Sequence, residues 1–263
     1  MFCITMSPEH GDIIKKLGYA PVGLGDKIYT DGFFTDKQGL NIAKKNSFYG
    51  EYTFHYWLWK NKLNNFQNNW IGFCQYRKFW TIENYENKNL SLKILPSIVL
   101  QNIPNNFQNY EVILGEPFFI NQRKVMKFFK KGFRLLLKKP QYLFNKKSRN
   151  IKFHFDLMHG ENNLKKAIEL LDKENRDGFM NYVDSKQYFH PQNMFICKSK
   201  KLLINYYNTL FPWLEKCEEI FPEESLKGYD LTRIYGFLAE RFLSYWFQKN
   251  AKCKTMNITF YDI

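Results

Sequence analysis

Short runs of consecutive apolar residues recur along the chain, and each has the length of a buried strand. The clearest runs cover residues 2–6, 70–74, 111–114 and 193–197, and a weaker run covers residues 19–24. Apolar residues at helical spacing lie between them, over residues 49–63, 122–139, 162–173, 200–217 and 230–249. Strands that alternate with helices predict one α/β domain over residues 1–263, with a mainly parallel sheet flanked by helices.

Polar residues that directly follow a predicted strand are the first candidates for a site, because ligands bind at the carboxyl ends of the strands in such sheets. Gln75, Tyr76, Arg77 and Lys78 follow the run 70–74. A guanidinium and an ammonium group there would neutralise a diphosphate, with Arg77 binding it through two parallel hydrogen bonds. Ordinary solvated side chains that close a strand have the same composition, so both interpretations stay open at this point.

One face of the predicted helix 49–63 is both aromatic and polar. Residues spaced i, i+4, i+7, i+8 and i+11 share a helix face, and here they are Tyr49, Thr53, Tyr56, Trp57 and Lys60. Such a face would form a platform for a substrate, although aromatic stripes more often belong to a packed core.

The composition is that of a folded protein: 44% of the 263 residues are hydrophobic and 19% are aromatic, which disfavours wholesale disorder. A run of about 18 apolar residues, the length of a membrane span, is absent from the sequence, and the first residues do not resemble a signal peptide. The five cysteines have no metal-binding spacing. An odd number of scattered cysteines indicates reduced thiols, so we expect a cytoplasmic location.

The positive charge is concentrated in one segment. Residues 117–155 contain twelve Lys/Arg and no Asp/Glu, and without these twelve the formal net charge of +14 falls to +2. Within this predicted helical insertion, residues 123–138 place basic side chains on one side and apolar ones on the other, which is typical of a helix in an anionic membrane interface. A helix packed on its own domain is the alternative. No nucleic-acid fold signature accompanies the charge, so we do not expect a nucleic-acid partner.

An ordered set of motifs spans most of the chain. It reads NI..KN..Y.E.T..YW.WKN over residues 41–61, IGFCQYRKF over 71–79, HPQNMFI over 190–196 and GFLAER over 236–241. This set resembles a bacterial family catalogued as a domain of unknown function in capsule and lipopolysaccharide gene clusters, which is similar to GT-A glycosyltransferases and includes galactofuranosyltransferases. Two positions depart from its pattern: Gln75 stands where the family often has His, and Lys78 where it often has Arg.

The resemblance implies a GT-A-like, Rossmann-like fold and a nucleotide-sugar donor, with UDP-galactofuranose or another UDP-hexose as options. It implies a capsular or lipopolysaccharide acceptor carried on lipid at the inner face of the cell membrane. The predicted donor-binding residues are Asp36, Asn41, Lys45, Tyr49, Tyr56, Trp57, Lys60, Gln75, Tyr76, Arg77, Lys78 and His159. The predicted acceptor-binding residues are His190, Asn193, Arg233 and Arg241.

GT-A enzymes commonly hold a divalent metal through an Asp-x-Asp pair, which this sequence lacks. We therefore expect no metal or other cofactor, with cationic side chains stabilising the departing diphosphate. A metal held by separated carboxylates such as Asp36 and Asp156 is the alternative. His154, Asp156 and His159 are predicted to lie in a loop before the helix 162–173, where free N–H groups and His159 would bind phosphate; a capping loop with a surface histidine is the other interpretation.

Transfer with inversion requires a base that accepts the proton of the acceptor hydroxyl. Asp230 is the first candidate and Glu240 the second, while a surface pair of Asp230 with Arg233 is the structural alternative. Two rival functions remain: a transferase of another phosphate-linked group, and a non-catalytic, membrane-associated scaffold of polysaccharide assembly.

Overall fold

The computed structural model describes residues 1–67, 69–85, 90–123, 133 and 136–263. These residues form two compact units. The sheet unit consists of Met1–Glu116, Gln192–Asn208 and Phe247–Ile263, and the helical unit of Pro117–Pro191 and Thr209–Trp246. Most of the predicted basic helix, namely residues 124–132, 134 and 135, lies outside the described residues.

The strands are β1 Phe2–Thr5, β2 Ala20–Gly23, β3 Phe34–Thr35, β4 Ile71–Gln75, β5 Lys78–Thr81, β6 Val112–Gly115, β7 Phe118–Phe119, β8 Tyr188–Phe189, β9 Phe195–Cys197 and β10 Cys253–Phe260. The α-helices are α1 Gly11–Lys16, α2 Asn46–Tyr49, α3 Tyr52–Asn61, α4 Leu95–Ile98, α5 Gln141–Phe144, α6 Ile151–His159, α7 Asn163–Glu169, α8 Lys173–Ser185, α9 Lys200–Ile220, α10 Tyr229–Thr232 and α11 Ile234–Asn250. All five predicted strands are present, with ends that differ from the prediction by one or two residues.

The sheet unit contains an eight-stranded sheet in the order β3-β2-β1-β4-β5-β10-β6-β9. The β3-β2-β1-β4 side and the β6–β10 pair are parallel. Strand β5 runs antiparallel to β4 and β10, and β9 runs antiparallel to β4 and β6. The sheet is therefore mixed, and the prediction of a mainly parallel sheet is wrong outside these pairs. The physical reason at β4–β5 is a two-residue connection, which only antiparallel strands accept.

Apolar side chains from the strands build the core of the sheet unit. Cys3, Trp80 and Ile113 are fully buried, and the indole Nε1 of Trp80 donates to the carbonyl oxygen of Phe73 at 2.9 Å. All five cysteines are unpaired, as predicted. Burial raises the pKa of the Cys197 thiol to about 12, which keeps it protonated and unreactive.

Helix capping explains two helices of the helical unit that the periodicity analysis missed. The side chain of Asn150 accepts from the backbone N–H of Phe153 at 2.8 Å and begins α6. The side chain of Asp172 accepts from the backbone N–H of Asn175 at 3.0 Å and begins α8. The loop predicted over residues 154–159 is therefore wrong, because these residues form the last turns of α6.

The predicted helix 49–63 is interrupted at Gly50. This residue adopts φ +57° and ψ −133°, a conformation that side chains with a Cβ disfavour. Tyr49 consequently ends α2, while Tyr56 and Trp57 belong to α3. None of the helices within the described ranges is both long and apolar enough to cross a membrane.

Candidate active site at the carboxyl edge of the sheet

The register of the sheet unit brings the carboxyl ends of three parallel strands to one edge. Thr5 of β1 lies opposite Gly23 of β2, and Ile4 lies opposite Gln75 of β4. Polar groups that follow these strands therefore share the edge where α/β sheets bind ligands.

Tyr76 and Arg77 form the turn between β4 and β5. The Tyr76 N–H donates to the carbonyl oxygen of Ile4 at 2.9 Å, and the Arg77 carbonyl oxygen accepts from the N–H of Tyr261 at 3.1 Å. The Arg77 guanidinium carbon lies 4.9 Å from the centroid of the Tyr76 ring. The Arg77 side chain is exposed and has no acidic partner among the described residues, so its charge is available to an anion.

His10 lies beside this turn and was not recognised in the sequence. Its ring stacks on Tyr76, with centroids 4.9 Å apart and planes inclined by 28°. Its Nδ1 is 2.7 Å from the Thr5 hydroxyl. Partial burial is the main cause that lowers the pKa of His10. The signal available in the sequence was only proximity to the end of the first strand, because the partner Tyr76 is remote in the chain.

Glu51 is the centre of a polar cluster at the end of β4. Its Oε1 accepts from the side-chain amide of Asn193 at 2.7 Å and from that of Gln75 at 3.4 Å. The Gln75 amide also donates to the carbonyl oxygen of Gln192 at 3.0 Å, and its Oε1 accepts from Lys78 Nζ at 3.0 Å. The cluster thus joins Gln75 and Asn193 through Glu51, and Lys78 through Gln75. The motif contained Glu51, but the sequence analysis did not select it.

The Asn193 side chain is tied into the core on its other side. Its Oδ1 accepts from the Tyr52 hydroxyl at 3.2 Å, and Tyr52 is 3.2 Å from the hydroxyl of Tyr206. Asn193 itself has φ +54°, a left-handed conformation that asparagine tolerates better than most residues. The turn that carries Asn193 is therefore held rigidly against the start of α3.

Asp36 follows β3 and is only 1% exposed. Neither carboxylate oxygen has a hydrogen bond of normal geometry in the described part of the chain. Burial raises the pKa of this carboxyl group, and the neighbouring Thr53 hydroxyl offsets part of that shift. Because buried polar groups are normally hydrogen-bonded, Asp36 stays a candidate for contact with a ligand donor.

Two other predicted donor residues contact their own surroundings. The Asn41 amide donates to the carbonyl oxygens of Lys37 and Gly39 at 3.2 and 2.9 Å, which stabilises its own loop. Trp57 is buried, and its Nε1 donates to the carbonyl oxygen of Gln38 at 2.7 Å. Trp57 is therefore part of the core.

The remaining aromatic and basic candidates of this segment are Lys45, Tyr49, Tyr56 and Lys60. Lys60 Nζ is 3.5 Å from the ring centroid of Trp59 and 5.7 Å from that of Tyr56. Tyr49 is buried at the end of α2, and Lys45 is half-buried just before it.

In the helical unit the predicted residue Asp230 contacts His159. This residue is 3% exposed, its Nδ1 is 2.9 Å from the carbonyl oxygen of Asp230, and its ring stacks on Phe237 with centroids 4.0 Å apart. Arg233 Nη1 donates to the hydroxyl of Tyr229 at 3.4 Å. His159 ends α6, and residues 160–162 connect it to the start of α7, so phosphate binding by His159 stays a prediction.

Arg241 is buried in the helical unit with 2% exposure. Its guanidinium is ion-paired with Glu240, lies 3.3 Å from His154 Nδ1 and is 3.8 Å from the Phe189 ring centroid. Its Nε has no hydrogen-bond partner among the described residues. Burial, and next the charge of Arg241, lower the pKa of His154 well below its usual range, so this histidine is neutral.

Two further residues of the helical unit complete the predicted set. The His190 N–H donates to the Ser244 hydroxyl at 2.8 Å, which ties it to α11. Asp156 accepts from Lys152 at 2.6 Å and from the N–H of Asn162 at 3.0 Å, so both of its oxygens have partners. The described residues contain no group of three or more metal-binding side chains.

The carboxyl edge therefore combines the exposed cation of Arg77 with the hydrogen-bonded carboxylate of Glu51.

A small cavity of about 110 Å³ lies elsewhere in the sheet unit. It is lined by Met1, Tyr19 and Trp70, which precede β1, β2 and β4. Its place at the amino ends of these strands separates it from the polar cluster.

Comparisons with known proteins agree with this architecture. A family model described as a domain of unknown function, DUF4422, matches residues 4–251. A solved structure described as the apo form of the bifunctional glycosyltransferase WbbM is similar, with a TM-score of 0.65 and 19% sequence identity. The match covers 93% of this chain and 42% of the WbbM chain. Similarity at this identity establishes a shared fold. None of the curated proteins compared with the chain matches it significantly.

Proposed function

This chain belongs to the DUF4422 family, and we propose that it is a glycosyltransferase that moves a sugar from a nucleotide-sugar donor to a polysaccharide acceptor. The fold shared with part of WbbM supports this class of reaction. For the donor we propose a UDP-hexose, with UDP-galactofuranose as the option that the family resemblance favours. The acceptor proposed is a capsular or lipopolysaccharide glycan.

One observation carries the proposal: an unpaired guanidinium and a hydrogen-bonded carboxylate share the carboxyl edge of the sheet. In the proposed reaction an acceptor hydroxyl attacks the anomeric carbon, and the nucleoside diphosphate leaves. Arg77 and Lys78 stabilise the charge that develops on the departing diphosphate. Tyr76 supports Arg77 through the contact of the guanidinium with its ring.

The basic segment 117–155 supports a proposed peripheral contact with anionic membrane at the cytoplasmic face. Its twelve Lys/Arg occur without a single acid, and anionic lipids attract such clusters. Part of this charge is paired locally, since Lys138 and Lys139 contact Glu161 at 3.7 and 2.9 Å. Flotation with vesicles that contain anionic lipid, compared with vesicles of neutral lipid, tests this contact, and equal binding to both would contradict it.

The donor site is tested by thermal stabilisation against a panel of nucleotide sugars and free nucleoside diphosphates. A ligand that binds only the folded state raises the melting temperature. The Arg77→Ala variant should bind the stabilising nucleotide about 10- to 100-fold more weakly, which corresponds to one lost charge-assisted hydrogen-bonding group. The matched control is Arg176→Ala, because Arg176 is an exposed arginine of the helical unit paired with Asp177.

The outcomes separate the proposal from its rivals. Stabilisation by a nucleotide sugar, followed by transfer to a glycan acceptor, supports a glycosyltransferase. Stabilisation by a different phosphate-linked donor would indicate another transferase. No stabilisation by any member of the panel would contradict the enzyme and favour a scaffold.

A further inference from the structure

His10 is fixed at the carboxyl end of β1 by bonds to the last residue of that strand. The Ser7 N–H donates to the Thr5 hydroxyl oxygen at 3.0 Å, and the His10 N–H donates to the Ser7 carbonyl oxygen at 3.4 Å. These bonds reverse the chain after the strand, and Thr5 Oγ1 lies 2.7 Å from His10 Nδ1. The imidazole therefore lies at the edge where β1, β2 and β4 end.

The contact with Thr5 occupies one nitrogen of the imidazole and leaves the other for a ligand. A hydroxyl that donates to Nδ1 leaves the proton of a neutral ring on Nε2, and a protonated ring carries a proton on both nitrogens. Among the described residues, Thr5 is the hydrogen-bond partner of the ring, through Nδ1, and Nε2 has none. The His10 side chain is half-buried, so Nε2 can donate to a bound group.

Tyr76 keeps His10 and Arg77 within reach of one ligand. The His10 ring centroid and the Arg77 guanidinium carbon each lie 4.9 Å from the centroid of the Tyr76 ring. The imidazole and the guanidinium are therefore no more than twice that distance apart, which two linked phosphate groups with a hydrogen bond at each end can span. N–H donors and guanidinium groups are the partners that bind phosphate oxygens most strongly.

The charges around His10 suit a ring that meets an anion only when a ligand is bound. Partial burial lowers the pKa of His10, the carboxylates of Asp262 and Glu9 raise it, and Lys27 lowers it. Because burial is the largest of these causes, the free ring is mostly neutral at pH 7 and above. The negative charge of a bound diphosphate would favour the protonated ring. Either form can donate from Nε2 to phosphate.

We propose that His10 is a donor-binding residue, which donates a hydrogen bond from Nε2 to a phosphate oxygen of the nucleoside diphosphate beside Arg77. This inference rests on the proposed function and adds a group from β1 to the cations that follow β4. As the bond between the anomeric carbon and the phosphate oxygen breaks, its electron pair passes to the diphosphate. The Nε2–H group stabilises the charge that develops there. His10 forms no covalent bond in this step.

The test measures the binding of UDP to the full chain and to its His10→Phe variant. Phenylalanine keeps an aromatic ring against Tyr76 and removes both ring nitrogens, so the melting temperature without ligand should change little. The loss of one hydrogen bond to a charged group should weaken UDP binding about 10- to 100-fold. Uridine, which lacks phosphate, is the control ligand, and its binding should weaken less than about threefold.

Spectra of protein labelled with nitrogen-15 histidine supply a readout that a purely structural role would not move. The signals of His10 are those missing from His10→Phe or from His10→Gln. UDP should shift the Nε2 signal of His10 and leave this nitrogen protonated, while the signals of the buried His55 stay in place.

Three outcomes would overturn the assignment of His10 alone: UDP binding by His10→Phe within about threefold of the parent, an equal loss of uridine binding, or an unprotonated Nε2 in the UDP complex. A parent protein that does not bind UDP would contradict the proposed donor and, with it, the assignment.

Discussion

Two glutamates, one in each unit, differ in the side chains that contact their carboxylate oxygens. In the sheet unit, neutral amides orient the half-buried Glu51. In the helical unit, a guanidinium with 2% exposure is ion-paired with Glu240, whose side chain is 14% exposed. The difference teaches how one residue type can serve two purposes. Amide donors orient a carboxylate oxygen, and a buried cation offsets the charge of a carboxylate so that the pair can be accommodated inside the protein.

The contrast extends to the neighbouring rings. Arg241 is enclosed by Phe189, Phe155 and the neutral His154. Arg77, by contrast, is exposed over the single ring of Tyr76. An enclosed arginine is costly to disturb, whereas an exposed one is free to bind an anion. Substitutions in the two units should therefore separate stability from activity.

The largest expected effect on stability is at the buried pair. Arg241→Met removes the guanidinium and leaves the Glu240 carboxylate without its counter-charge, so the free energy of unfolding should fall by about 3–5 kcal/mol. Urea denaturation measures this change. Arg176→Met, at an exposed arginine, should stay within about 0.5 kcal/mol of the parent. Equal effects of the two variants would remove the distinction between the buried pair and a surface pair.

A smaller effect is expected from pH, because each unit contains a histidine that folding keeps neutral. Burial lowers the pKa of His55, in the sheet unit, to about 3, and lowers that of His154. The unfolded chain binds a proton at each histidine near pH 6.5. Stability is therefore full above pH 6.5 and falls as the pH decreases from there toward the folded pKa, by about 2 kcal/mol per histidine at pH 5.

Urea midpoints between pH 7 and pH 5 measure this loss. The free energy of unfolding should depend less steeply on pH in His55→Phe than in the parent, because only the contribution of His154 remains. An unchanged slope in this variant would show that His55 is protonated or accessible in the folded protein. The slope, and not the absolute stability, is the quantity to compare, because the substitution also removes the bond between His55 and the hydroxyl of Tyr207.

The smallest expected effect on stability is at Glu51. Glu51→Gln preserves an oxygen that accepts from Asn193 and Gln75, so the free energy of unfolding should change by less than about 1 kcal/mol. Urea denaturation measures this change. A loss of several kcal/mol would place Glu51 with Glu240, as a residue that holds the fold.

The apolar pattern predicted the buried strands because burial requires local runs of apolar residues. It also located the cations after residue 74, since the end of a strand is a local property. Strand β10 escaped prediction because its partly exposed residues carry no continuous apolar run, and its place beside β5 and β6 arises from pairing remote segments. The cap at Asn150 is readable from residue types, but the sequence analysis, which relied on periodicity, did not include it.

The sequence by itself determined five of the ten strands in the described residues and the polar residues available at the end of β4. Only the tertiary structure decided which carboxylate that chemistry includes. Glu51 meets Gln75 and Asn193 across 24 and 142 residues of chain, and no local pattern encodes such a distance. The reason is physical: backbone propensity and burial act on neighbouring residues, whereas hydrogen-bond partners are chosen by the packing of whole strands and helices.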